Sequence, residues 1–220
     1  MITGKKKSTL ELIPDEIDWV HARNVHTCYA QKSGAQHIAT EFALAYLSAL
    51  VRIIQPKYVL EIGAGIGTIS QLLLDHPNAI THLTAIEDNP FCIDALRNRF
   101  ATPFKERFHL ITDPTKFEMG EQKFDLVVID GLLQSKLYDS LKRDSFCFVE
   151  GSRKSTRKVI IEKLENRNLA INFVNYNQGV RYFDWSTKYP NGRRRIFPKF
   201  KFFRILKGCW IGHVTPLTML

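Results

Sequence analysis

The 220-residue chain has few cysteines, and the four present (Cys28, Cys92, Cys147 and Cys209) form no C-x-x-C pair. Thiols so far apart outline neither a zinc site nor a disulfide framework, so they read as reduced and mostly buried. His21 and His26 lie near Cys28, without the fourth ligand and closer spacing a metal requires. No apolar run approaches the roughly 20 residues of a membrane span. The first residues, MITGKKKSTLELIPDE, hold no apolar stretch long enough for a signal peptide. The expectation is a soluble cytoplasmic protein with no membrane partner. Internal repeats and low-complexity segments are missing as well. Acids are scarce in one region: over residues 151–208 fifteen lysines and arginines face three acids, a net +12 that leaves −3 for the remainder of a chain of net charge +9. An anionic partner should therefore meet the C-terminal third.

What is present fits one domain, since 45% apolar residues in 220 supply an ordinary core. Residues 1–34 read as an arm and lead-in, with Lys5, Lys6 and Lys7 in a frayed stretch to residue 14 and a weak helix over 15–25. The domain proper is expected over 35–220. It opens with an amphipathic helix over 36–54, Ser33 being a suitable N-cap and Pro56 its stop.

The rest is arranged around YVLEIGAGIGT, residues 58–68. An aliphatic run (Val59, Leu60, Ile62) meets three alternate glycines, Gly63, Gly65 and Gly67, and a helical pattern over 69–74 follows at once. Strand, tight turn and helix in that order suit a nucleotide-like ligand, because glycine accepts positive φ and lets a ligand lie against the backbone. The next strand, THLTAIE, ends in Glu87, 20 positions beyond Gly67, where a carboxylate can take both hydroxyls of a ribose. The spacing is not G-x-G-x-x-G, and Glu61 stands just ahead of the turn. A carboxylate there opposes a diphosphate and suits a cationic ligand.

This segment resembles the first motif of class I S-adenosylmethionine (SAM)-dependent methyltransferases. The resemblance implies that Glu61 lies near the methionine end of the cofactor, that Gly63, Ala64, Gly65, Gly67 and Thr68 form the turn beneath it, and that Glu87, with Asp88 beside it, binds the ribose. It implies a doubly wound, Rossmann-like α/β sheet of seven mostly parallel strands, the last antiparallel. A third strand over 108–111 leads to Asp113, which in such enzymes faces the adenine amino group. Lys32, Ser33 and Gly34, in QKSGAQH, match the placement of residues that approach the methionine part in small-molecule O-methyltransferases.

FDLVVIDG, residues 124–131, is an uninterrupted apolar run ending in Asp130, as expected of a central strand buried on both faces. A carboxylate at that end lies in the ligand crevice, which makes Asp130 the candidate catalytic group. The Asp-Pro-Pro-Tyr of enzymes that methylate base amino groups is missing, and Ile-Asp-Gly is similar to catechol-type and caffeoyl-coenzyme-A-type O-methyltransferases. There the aspartate binds a divalent cation with an Asp-Asn pair after the next strand. Here that strand, SFCFVEG, supplies only Glu150, so a cation is compatible but not expected. Arg153, Lys154 and Arg157 then open a helix running to residue 169, either to meet an anion or to pair with Glu150 and nearby acids. LAINFVNY and FKFFRILK read as the last hairpin, separated by a long polar insertion over 177–198 carrying Arg181, Tyr182, Trp185, Lys188, Tyr189 and Arg193 to Arg195. The end, CWIGHVTPLTML, is apolar enough to dock on the core or on a second copy, leaving a homo-oligomer open.

The expected activity is methyl transfer from SAM to an oxygen of a small, anionic molecule. Two alternatives stand beside it: an RNA methyltransferase using the basic 151–208 segment, and a non-catalytic interaction protein on the same fold.

Overall fold

The computed structural model describes residues 12–76, 79–100, 102–117, 123–131, 135–151, 153–183 and 203–217. Strands β1 (Tyr58–Ile62), β2 (His82–Ile86), β3 (Phe108–Ile111), β4 (Leu126–Ile129), β5 (Phe146–Glu150), β6 (Leu169–Phe183) and β7 (Phe203–Pro216) form one sheet in the order β3-β2-β1-β4-β5-β7-β6. β7 runs against both of its neighbours, and the β1–β2, β1–β4, β2–β3 and β4–β5 pairs are parallel. The expected doubly wound sheet with an antiparallel last strand is therefore present. The chain winds outward from β1 to β3, then returns to place β4 on the other side of β1. That reversal opens a crevice at the carboxyl ends of β1 and β4.

Period-two alternation divides the core between the two sheet faces. Val59, Leu126, Val128 and Phe148 pack on the side of α1 (Glu16–Ala30), α2 (Glu41–Ile54), α3 (Thr68–Leu74) and α4 (Pro90–Phe100). Leu60, Val127, Ile129 and Val149 face the other side, with Ile160 and Leu164 of α5 (Lys154–Glu165). Among the described residues no helix is long and apolar enough to cross a membrane.

Several boundaries differ from the sequence reading. The weak helix expected to stop at residue 25 continues to Ala30, started by an Asp15–Asp18 capping box. Asp18, buried, then accepts hydrogen bonds from Arg52 Nη2 (2.8 Å) and Ser48 Oγ (3.0 Å), tying α1 to α2. Ser33 caps nothing: Gly34 precedes a short 3₁₀ turn, and α2 begins later, where Thr40 Oγ1 accepts the Ala43 N–H at 3.2 Å. Part of the insertion expected from residue 177 is strand, since β6 runs on to Phe183 with a register shift between Asn177 and Val180. Residues 184–198 of that expectation lie outside the described residues. The apolar end joins the core as strand: Cys209 to His213 pair with β5, so β7 extends well beyond the FKFFRILK read from the sequence. Cys209 and Ile211 enter one core and Val214 the other, an alternation that Gly208 and Gly212 conceal in the sequence.

Beyond the end of α3, His76 accompanies His21, whose Nε2 is 3.4 Å from Asp75 Oδ2, while Ser48 Oγ is 3.3 Å from His76 Nε2. Burial, reinforced by His21, pushes His76 down to about 4, below the ordinary value of 6.5. Between those values the unfolded chain binds a proton that the folded chain refuses, so this contribution is complete above pH 6.5 and is lost as pH falls towards 4. Thermal melts should show the wild type losing more stability than His76→Gln between pH 7 and pH 5. Equal losses would show that His76 does not titrate in this way.

Candidate active site at the carboxyl ends of β1, β2, β4 and β5

The three glycines adopt positive φ (Gly63 +82°, Gly65 +56°, Gly67 +91°) for different reasons. Asp130 N donates to Ile62 O at 2.9 Å, which draws the end of β4 onto β1. As a result, a Cβ on Gly63 would stand 2.5 Å from the Gly131 Cα. On Gly67 it would meet Phe100 at 2.5 Å and Leu96 at 2.9 Å, so this glycine serves the packing of α4. On Gly65 it would meet nothing within 4 Å, which leaves this turn backbone open to the crevice.

Glu87 pins that turn. Its carboxylate accepts N–H groups from Gly65 (2.7 Å), Asp88 (3.0 Å) and Asn89 (2.9 Å), joining the glycine turn to the start of α4. Carboxylate oxygens carry further lone pairs, so three N–H donors do not exhaust it. Asp88 itself is exposed. Asp113, at the end of β3, is committed to Thr115 N and Oγ1 (3.0 and 2.6 Å) and to Lys116 (3.4 Å), and the Thr115 bonds hold it below its ordinary value. Ser33 and Lys32 are exposed, whereas Gly34 packs on Ile66 and Phe91, laying the lead-in loop against the turn.

Glu61 is wholly buried beneath the turn. Ser70 Oγ donates to its Oε2 at 2.6 Å, and its Oε1 has no hydrogen-bond partner among the described residues. Burial pushes it up to about 8, the Ser70 bond opposing and the charges of Asp130 and Glu87 reinforcing the shift. At neutral pH it is therefore mostly a neutral carboxyl with one oxygen unused. Thr68 Oγ1, at the start of α3, is likewise buried without a partner, and Ala64 is buried in the turn.

Asp130 and Glu150 meet across β4 and β5. Their carboxyls share a hydrogen bond, and the Thr40 N–H reaches Glu150. Burial raises both carboxyls, and Asp130 pushes Glu150 further, to about 8, so the pair retains a proton near neutrality; Arg153 opposes this, and the hydrogen bond from Glu150 favours the ionised form of Asp130. Arg153 Nη2 donates to Asp130 Oδ1 at 2.6 Å and to Asp130 O, and its Nε donates to Glu150 O at 3.1 Å. Arg153 thus forms an ion pair, with Asp130 rather than the Glu150 carboxylate read from the sequence. Arg157 stacks on Trp210, its guanidinium carbon 3.3 Å from the ring centroid. Among the described residues no three His, Cys, Asp or Glu side chains converge as a metal site.

The structure thus brings Glu61, Glu87, Asp130 and the glycine turn to one crevice, while Ser33 is exposed and Asp113 is engaged by Thr115 and Lys116. Ser70 and Thr40 were missed from the sequence. One lies on a helix and the other in a loop, with no motif linking them to Glu61 or Glu150.

Gly63→Ala should destabilise by at least about 3 kcal/mol, because backbone must move, whereas Gly65→Ala should lose only about 1 kcal/mol from its φ; urea unfolding would measure both. Glu61 titrates near 4.5 unfolded and about 8 folded, so its stabilising effect is complete below pH 4.5 and is lost as pH rises to 8. Glu61→Gln should therefore raise stability at pH 7 by on the order of 3 kcal/mol, with little gain at pH 4.5. Similar gains at both pH values would contradict a buried neutral carboxyl.

No protein-family model and no curated protein matches the chain. Solved structures do. A protein described as a candidate RNA methyltransferase from Pyrococcus horikoshii shares 15% identity over 89% of this chain and 99% of that one, with a TM-score of 0.56. A precorrin-6y C5,15-methyltransferase from Geobacter metallireducens GS-15 shares 14% over 84% and 93%, TM-score 0.55. An O-methyltransferase from Bacillus cereus, in complex with S-adenosylhomocysteine, shares 14% over 93% and 94%, TM-score 0.53. These three similar structures carry three different acceptor descriptions. What they share is the architecture, and the chain has the fold of the class I SAM-dependent methyltransferases.

Proposed function

We propose that the chain is a SAM-dependent methyltransferase acting on an oxygen of a small, anionic molecule. The observation that carries this reading is Glu61: a buried carboxyl with an unused oxygen, kept beneath a glycine turn at a cost to stability. An ammonium group brought alongside would satisfy that oxygen and draw off the proton. Gly65 offers bare backbone to a flat ligand, and Glu87, at the end of β2, retains lone pairs for ribose hydroxyls. Gly63, Ala64, Gly67 and Thr68 build the turn, while Asp88, Asp113 and Ser33 flank it.

When bound, SAM would supply an electrophilic methyl carbon: in-line attack by an acceptor oxygen forms the O–CH3 bond as the S–CH3 bond breaks and S-adenosylhomocysteine leaves. The chain's own groups orient that oxygen and receive its proton, which the Asp130–Glu150 pair is suited to take. Cations of the 151–208 segment favour a negatively charged acceptor. The same charge supports a second reading, an RNA acceptor, which predicts binding that weakens steeply with salt because phosphate contacts release counterions.

Calorimetry with S-adenosylhomocysteine tests the reading. Binding is expected, weakened at least about tenfold by Glu87→Ala, with affinity rising between pH 6 and 8 as Glu61 releases its proton and flattening in Glu61→Gln. Absence of heat with both SAM and S-adenosylhomocysteine would overturn it.

A further inference from the structure

The fold family's Ile-Asp-Gly resemblance suggests a divalent cation beside Asp130, and the residues present do not fit one. A hard dication requires six or more oxygens. Here the carboxyl Oδ1 and main-chain oxygen of Asp130 both accept from Arg153 Nη2, and the Glu150 main-chain oxygen accepts from Arg153 Nε. The Glu150 carboxyl is engaged by Asp130 and by the Thr40 N–H. The guanidinium thus spans the ends of β4 and β5, its side chain 30% exposed against 14% for Asp130.

We propose that Arg153 is the resident cation of the acceptor side, a positioning residue that holds Asp130 and Glu150 together where a metal ion would otherwise sit. The acceptor, on the methyltransferase reading above, is then a single hydroxyl held by hydrogen bonds to the carboxyl pair, and not a pair of vicinal oxygens chelated by a metal. Two carboxyls this close, deprived of the guanidinium, are an uncompensated acidic site. Removing Arg153 should therefore create the metal affinity that its presence blocks.

The test is Mn2+ binding, followed by loss of the free-ion electron paramagnetic resonance signal, in wild type, Arg153→Ala and Asp130→Asn/Arg153→Ala. The expected result is negligible specific binding to wild type, at least about tenfold tighter binding to Arg153→Ala, and loss of that gain in the double variant. If Arg153→Ala does not fold, Arg153→Gln keeps length and amide donors while removing the charge, and is read in the same way. Mn2+ bound by wild type and released by Asp130→Asn would overturn the proposal, as would a folded Arg153 variant that gains no affinity. In wild type loaded with S-adenosylhomocysteine, Mg2+ should not strengthen binding of 3,4-dihydroxybenzoate; a Mg2+-dependent gain would refute the acceptor class. Should S-adenosylhomocysteine itself fail to bind, the methyltransferase reading falls while the Mn2+ comparison still decides the role of Arg153.

Discussion

The site depends on the near-contact of two glycine backbones, Gly63 after β1 and Gly131 after β4, at the point where the sheet reverses its winding. With no side chain between them, the two strand ends draw together, and the carboxyls they carry are drawn together as well. Glu61 lies inside β1 and Asp130 one residue past β4, and the charge of Asp130 adds to the proton affinity of Glu61. A crevice built this way gathers acids in a place where water cannot fully solvate them. Desolvation, rather than any direct pairing, is the largest influence on Glu61, Asp130 and Glu150.

The four carboxyls are handled in different ways. Glu87 remains a hydrogen-bond hub for three backbone N–H groups. Asp130 is met by a guanidinium, Glu150 by a shared proton, and Glu61 by Ser70 alone among the described residues, with Oε1 left over. An unpaired buried polar atom is unfavourable unless something else completes it. On the proposed function, the cofactor's cationic end completes Glu61, and Arg153 already completes Asp130. The cofactor side is thus left open to a ligand, while the acceptor side is internally neutralised.

Much of this was legible in the chain. The glycine turn, the acid ending the second strand, and the apolar run into Asp130 each depend on local periodicity and residue type, and each lies where the sequence put it. Other features were not legible. The end of β7 reads only as an apolar segment that docks on the core or on a second copy, because Gly208 and Gly212 interrupt the alternation that its pairing with β5 restores. Thr40, not Ser33, caps α2, since both are equally good capping residues and only the path of the lead-in loop chooses between them. Arg153 read as either a ligand for anions or an ion-pair partner, because 23 positions separate it from the aspartate it binds.

By itself the sequence determined the fold class and the turn at its centre, since alternation, glycine spacing and apolar runs act between neighbours along the chain. Tertiary structure alone decided which of the three glycines is open, which carboxyl oxygen lacks a partner among the described residues, and which cation meets Asp130. Those outcomes turn on distances of a few ångströms between residues remote in sequence, and on exclusion of water by groups from several strands and helices at once.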